Sequence, residues 1–264
     1  MIEQTRTSSP FPASARHQRL VAALHGRAEV SVGVLAATLR VSTMTVRRDL
    51  QQLARAGRII RTHGGALAAP RVSFEFRFLE RTQLRHQAKQ AIGRAAARLV
   101  RDGQSVILDS GSTTLAVTEQ LQARQGLTVI TTSLPIAAAL FGSGNAEVLL
   151  LGGFLRRDTP DLAGPVTEGN LETLRADIAF IGADGIDARG RVYNASVQVA
   201  RMLGKMAAAA AQVYVVADAC KIGRTALMRF ADLTKLTGLI TDAAIPATQL
   251  RKLRRAGIRV IVAH

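Results

Sequence analysis

Cysteine is nearly absent. Cys220 is the only one in 264 residues, so no intramolecular disulfide can form and a thiolate-based metal site lacks its ligands. Cys220 itself fits a small, partly buried side chain. Long apolar runs are missing as well. The most apolar stretch, MAAAAAQVYVVADA from Met206, is broken by Gln212 and too short to cross a bilayer. Met1 to Arg16 contains Ser and Pro but no apolar core, so neither a signal peptide nor a membrane span is expected there. There is no internal repeat and no long low-complexity tract, although alanine is abundant. These absences exclude disulfide-stapled and membrane-spanning classes. They leave a cytoplasmic protein of one or two domains with a sizeable core as the expectation.

Acid is scarce beside base: 19 Asp and Glu against 35 Lys and Arg, for a net charge of +16. The excess is densest at the start. Up to Pro70 there are ten bases and three acids, while the far longer remainder has twenty-five and sixteen. Such a concentration suits a polyanionic partner. Nearly all the bases are Arg, which genomic composition also favours.

Within that basic segment the stretch VSTMTVRRDLQQL, Val41 to Leu53, organises the rest. Ser42 can cap a helix start, because its hydroxyl accepts a bond from an orphan N–H of the first turn. Val46, Leu50 and Leu53 recur at helical spacing. The opposite face carries Thr43, Thr45, Arg47 and Arg48. Short hydroxyls at the leading end and guanidinium forks behind them suit base edges and phosphates in the major groove. A solvated amphipathic helix would share this pattern, and the flanks decide between the two. Upstream, His17 to Leu24 and then VGVLAATL, ending near Leu39, form two helices, and a turn at Arg40-Val41 leads into the third. Two helices joined by a tight turn make a helix-turn-helix. Downstream, Gly57 is a helix stop. IIRTHGGA then makes a small β wing that turns at Gly64-Gly65 and carries Arg61 and His63 towards DNA. His63 has no Cys, Asp or second His at ligand spacing, so no metal site is expected.

The run VLAATLRVSTMTVRRDLQQLARAGRIIRTHGGA resembles the winged helix-turn-helix of DeoR-type bacterial transcription regulators, whose VS-x-x-T-x-RRDL helix and R-x-HGGA wing both occur here. The resemblance implies a double-stranded DNA operator as partner.

After the wing, Pro70 breaks periodicity and marks a boundary. VSFEFRFLER then alternates Val72, Phe74, Phe76 and Phe78 with polar residues, as a strand or extended connector does. Those three Phe need a surface: within the chain, against the following domain, or on a partner subunit. Gln87 to Val100 returns to helix with Ile92, Ala96 and Leu99 inward and Lys89 expected in solvent, contact with a ligand being the alternative. Seven short apolar strands follow, each expected to lead into a helix: Ser105–Asp109, Leu127–Thr131, Ala146–Gly152, Ile178–Ala183, Val213–Asp218, Leu236–Thr241 and Ile258–Ala263. Continuous hydrophobicity implies strands covered on both faces. The expected fold class is therefore α/β, with a mostly parallel sheet.

Ligands in such sheets bind beyond the carboxyl ends of the strands. The first strand ends in Asp109-Ser110-Gly111-Ser112-Thr113-Thr114. A helix start offers N–H groups to an anion, Gly111 permits close approach, and the hydroxyls add donors. It is neither a Walker A loop nor a dinucleotide fingerprint. Later strand ends carry Thr132 and Ser133, then Gly152 and Gly153 ahead of Arg156 and Arg157. Asp184 and Asp187 follow in GADGID, and Asp218 with Lys221 in DACK. A small anionic ligand accounts for this repetition better than helix capping does.

This pattern also resembles the DeoR sensor domain, itself similar to ribose-phosphate isomerase. The resemblance covers the chain from about Arg16 on. It implies that the strand ends, with Gln198 nearby, bind a phosphorylated sugar or polyol, the phosphate at Ser110–Thr114 and the hydroxyls at Asp184 and Lys221. Two departures stand out. Ile181 replaces an acid that isomerases carry before GAD, and Gln198 replaces a common Glu. Without the acid, proton shuttling between sugar carbons has no agent. The expectation is therefore a ligand-controlled repressor with no cofactor, acting as a homo-oligomer; the alternative is an isomerase-like enzyme with an appended DNA-binding domain. The expected layout is a flexible tail at 1–15, the winged domain at 16–70, a connector at 71–86 and the sensor at 87–264.

Overall fold

The computed structural model describes residues 12–24, 29–55, 59–68, 78, 81–156 and 159–264. The chain divides into two compact units, Met1–Glu80 and Arg81–His264. The expectations for Gly57, Phe74 and Phe76 lie outside the described residues.

In the first unit three helices, α1 (Ala13–Leu24), α2 (Val32–Leu39) and α3 (Thr43–Arg55), surround one small core. Leu20 and Leu24 of α1, Leu35 and Leu39 of α2, and Val46, Leu50 and Leu53 of α3 are all buried in it. Ser42 caps α3 as its hydroxyl chemistry requires, accepting the Thr45 N–H at 3.1 Å. The tight turn before it is made by Arg40, which takes a left-handed conformation at φ 53° after α2. Glycine usually fills this position. Strands β1 (Val30–Ser31), β2 (Ile59–Arg61) and β3 (Gly65–Ala68) form an antiparallel sheet in the order β1-β3-β2. The wing turns at Thr62-His63-Gly64, with Gly65 already paired to Ser31.

The α1 and α3 helices are tied by a link that apolar periodicity does not reveal. Asp49 is buried on the inner side of α3. It accepts hydrogen bonds from Arg16 Nε at 2.5 Å, Arg16 Nη2 at 3.0 Å and His17 Nε2 at 3.0 Å. Burial pushes the Asp49 carboxyl up, but these donors outweigh it and hold the group below its ordinary range.

The second unit is built on a seven-stranded sheet. Its strands are β4 (Ser105–Leu108), β5 (Leu127–Thr131), β6 (Ala146–Leu150), β9 (Ala176–Ile181), β12 (Ala210–Val216), β14 (Gly238–Asp242) and β15 (Val260–Ala263). They lie in the order β15-β14-β12-β9-β4-β5-β6, and every neighbouring pair is parallel. These are the seven apolar runs of the sequence. Alternate residues enter opposite layers. Val106, Leu108 and Phe180 pack under α4 (His86–Ala97) and α5 (Ser112–Leu121). Ile107, Ala179 and Ile181 pack under α8 (Val197–Ala208). Helices α4 and α5 approach closely at Gly93, where a Cβ would lie 2.4 Å from the Ala116 carbonyl oxygen.

Two additions have no counterpart in the sequence reading. A hairpin of β7 (Phe154–Leu155) and β8 (Leu162–Ala163) follows β6. A second antiparallel sheet joins β10 (Gly185–Ile186), β11 (Arg191–Asn194) and β13 (Met228–Asp232). β7, β8 and β10 have two residues each, and β11 (RVYN) and β13 (MRFAD) mix polar with apolar residues, so none makes a continuous apolar run. Further helices are α6 (Leu134–Phe141), α7 (Pro165–Thr173) and α9 (Ala247–Arg255). No helix among the described residues is long and apolar enough to cross a membrane.

Candidate functional site

The chain runs from β4 out through β5 to β6, then returns to the other side of β4 at β9 and continues to β12. A crevice opens where strand order reverses. Here the loops after β4, β9 and β12 line it, joined by Arg156 and Thr159 from the segment after β6 and by Asn194, Ser196 and Val199. The buried Asp109 ties the first two, accepting the Gly182 N–H at 2.9 Å and the Ser110 N–H. Burial pushes Asp109 up to about 6; the nearby Asp161 adds to this, while the two N–H bonds and Arg156 oppose it.

The cleft has two adjoining lobes. The smaller, about 110 Å³, lies against Gly111, Ser112 and Thr113 at the start of α5 and against the loops holding Asp184 and Lys221. The larger, about 320 Å³, lies against Ser110, Arg156 and Asn194. Arg81, Asp109, Gly111, Asp184 and Asn194 border both. Asp184 is oriented by the Ala195 N–H, 3.0 Å from its Oδ2. Its Oδ1 lies 4.0 Å from both Arg81 and Lys221, long distances that leave these charges available to a ligand. Asp218 accepts the Cys220 N–H at 3.0 Å and so shapes the turn that presents Lys221.

Lys89 differs from the sequence expectation: it is buried, not solvated, and its side chain borders the smaller lobe. Its ammonium donates to the carbonyls of Leu84, at 2.7 Å, and Arg81. The signal was present, since Lys89 lies three and seven residues before Ile92 and Ala96 on the same inward stripe.

Other expected residues fall outside the cleft lining. The Thr114 hydroxyl is turned to the Asp109 and Gly111 carbonyls at 2.6 and 2.7 Å, so it shapes the loop. Thr132 and Ser133 are fully buried, and Ser133 caps α6. Gly152 and Gly153 are exposed at the start of the β7–β8 hairpin. There Gly153 takes φ 156°, and a Cβ would strike the Thr167 hydroxyl. Gln198 is exposed on the first turn of α8, between Ser196 and Val199, which do border the larger lobe. Ile181 is wholly buried in the core. Asp161, unmarked in the sequence, is wholly buried and accepts Arg156 Nε and Nη2 at 2.7 Å each, the Thr159 hydroxyl at 2.8 Å and the Ser110 hydroxyl. That fork holds Arg156 at the larger lobe. No cluster of three His, Cys, Asp or Glu among the described residues could hold a metal ion.

The first unit presents a different surface. Ser42, Thr43, Met44, Arg47 and Arg48 are exposed on α3 and Thr45 is half-buried, while Arg61 and His63 are exposed on the wing. The one carboxylate of α3, Asp49, points inward and is neutralised by Arg16. The outward face is therefore purely cationic and polar apart from Met44.

Known proteins share both units. The family described as "DeoR-like helix-turn-helix domain" matches residues 16–71, and "DeoR C terminal sensor domain" matches 84–243. The HTH-type transcriptional repressor GlcR of Bacillus subtilis is 34% identical over 253 residues, 94% of this chain and 96% of that protein. The glycerol-3-phosphate regulon repressor of Escherichia coli is 28% identical over 238 residues, 90% and 94% of the two chains. Among solved structures, ribose 5-phosphate isomerase A of Neisseria gonorrhoeae is 17% identical, covers 54% of each chain and has a TM-score of 0.39. With its helix-turn-helix and its sensor domain both accounted for over most of its length, the chain belongs to the DeoR family, whose members are DNA-binding transcriptional regulators rather than enzymes.

Proposed function

We propose that this regulator represses genes of carbohydrate or polyol use from the cytoplasm, and releases its operator when a phosphorylated sugar or polyol fills the cleft of its sensor unit. The observation that carries this is the charge layout of the smaller lobe. A helix start at Gly111–Thr113 faces Arg81, Lys89 and Lys221, and Asp109, Asp184 and Asp218 balance them. A phosphate suits the N–H groups and hydroxyls of the helix start, which need no counter-charge. Asp184 and Asn194 suit sugar hydroxyls. The repressor names of the two relatives agree with this reading.

The winged module spans 16–70, 71–86 connects, and 87–264 senses. Arg81 and Leu84, at the end of that connector, border the smaller lobe, so a ligand there acts directly on the segment leading to the DNA-reading module. It shifts DNA affinity only by as much as it prefers one state of that segment over the other. One winged helix buries little DNA surface, so two or more copies act together. The test is a panel of phosphorylated sugars and polyols, scored by thermal shift and by gel shift on the DNA beside the gene. A member that raises the melting temperature and releases DNA is expected. A panel without effect on either readout overturns the reading.

A further inference from the structure

The stretch from Phe141 to Leu155 is unlike the rest of this basic protein. It holds one charged side chain, Glu147, and no base, in a chain with 35. Five large apolar side chains in it face water: Phe141 is 91% exposed, Leu149 42%, Leu150 37%, Phe154 73% and Leu155 58%. The stretch includes β6, the last strand of the main sheet, which among the described residues pairs only with β5. It then leads directly into the β7–β8 hairpin. Exposed sheet edges are ordinarily blunted by Lys, Pro, a bulge or a covering element. β6 reads AEVLL and pairs without a register break from Ala146 to Leu150. The opposite edge, β15, has Val260 and Ala263 buried.

We infer that this edge joins two copies of the chain, with β6 running antiparallel to β6 of the second copy and the Phe154 and Leu155 side chains packing beside it. A twofold contact requires a self-complementary patch. Pairing centred on Leu149 sets that residue opposite its own copy and Val148 opposite Leu150. Glu147 then meets Leu151, so no like charges face each other. Two chains of net charge +16 repel, and this base-free stretch is where they can meet without stacking cation on cation. An acidic partner finds nothing there to attract it.

The inference rests on the proposal that copies act together, and the test separates the two. Sedimentation of the full chain at micromolar concentration is expected to show self-association. The double variant Leu149→Lys, Phe154→Lys changes only exposed side chains, and its melting temperature should stay near that of the parent. It is expected to associate at least about tenfold more weakly. In a second arm, Leu149→Cys in a Cys220→Ala background should give a covalent dimer on mild oxidation. Leu227→Cys in the same background, exposed but outside the stretch, should not. Parent self-association that survives the double Lys variant, or no cross-link through Leu149→Cys, overturns the surface and leaves the pairing intact. A parent that is monomeric with and without DNA overturns both.

Discussion

The Lys89 ammonium lies 2.7 Å from the carbonyl oxygen of Leu84, so a buried cation on α4 holds the turn that leads into its own helix. Burial holds its pKa below the ordinary lysine value; the Asp218 carboxylate opposes this, and Arg81 and Lys221 reinforce it. Lys89→Met keeps the bulk and removes the charge. Two carbonyls then lose their donor, at a cost of about 1–3 kcal/mol in stability. Calorimetry should show effector affinity reduced at least about tenfold, with operator affinity unchanged in the absence of effector. Unaltered effector affinity would place the anion elsewhere in the cleft.

Arg47→Ala and Arg48→Ala should each weaken operator binding. An arginine bidentate to guanine costs about 1–3 kcal/mol at one base pair when removed. One that touches phosphate costs affinity on all sequences and lowers the salt slope by about one. Gel shifts on operator and scrambled DNA at several salt concentrations distinguish these outcomes. Full operator affinity in both variants excludes α3 as the reading helix.

Two of the buried aspartates, Asp49 and Asp109, should impose opposite pH dependence. Asp49 is held below the ordinary value of 3.8. Its contribution to stability is present above that pH and is lost as pH falls through the folded-state pKa. Asp109 is raised from 3.8 to about 6. Stability is then greatest below the unfolded value and declines as pH rises through about 6. Carboxyl carbon-13 titration should place the Asp109 midpoint near 6 and that of Asp49 below 3.8. An Asp109 midpoint near 4 would mean that water reaches the carboxylate.

Gly111→Val brings a side chain into the turn before α5, where a Cβ lies 3.2 Å from the Thr114 hydroxyl. It should abolish the response to every phosphorylated effector and leave operator binding intact. Asp184→Ala should weaken the response to the true effector while hardly moving the melting temperature of the free protein. A large fall in melting temperature with normal effector affinity would make Asp184 a structural ion-pair partner. Effector binding by Gly111→Val at parental affinity would show that the phosphate loop is misassigned.

Sequence periodicity by itself determined the helices of the first unit and the seven strands of the sheet. Burying one stripe or both faces of an element demands apolar residues at fixed spacing, and that demand is local. Ser42 as a cap and the reach of Arg47 and Arg48 into solvent were legible for the same reason, because the geometry of a single helix determines both. The tertiary structure decided what depends on partners distant in the chain. Asp49 looked like one more charge on a basic helix until Arg16, 33 residues away, met it. Thr132, Ser133, Gly152 and Gly153 occupy strand ends like Gly111, yet Thr132 and Ser133 are buried beneath the cleft and the two glycines sit at the start of the hairpin, so that from this side Arg156 and Thr159 reach the larger lobe instead. Lys89 went inward because Arg81 and Leu84 turn back and offer it two carbonyls. A buried ammonium is tolerable only when such acceptors converge on it, and that convergence is a property of the assembled chain, not of any stretch of it.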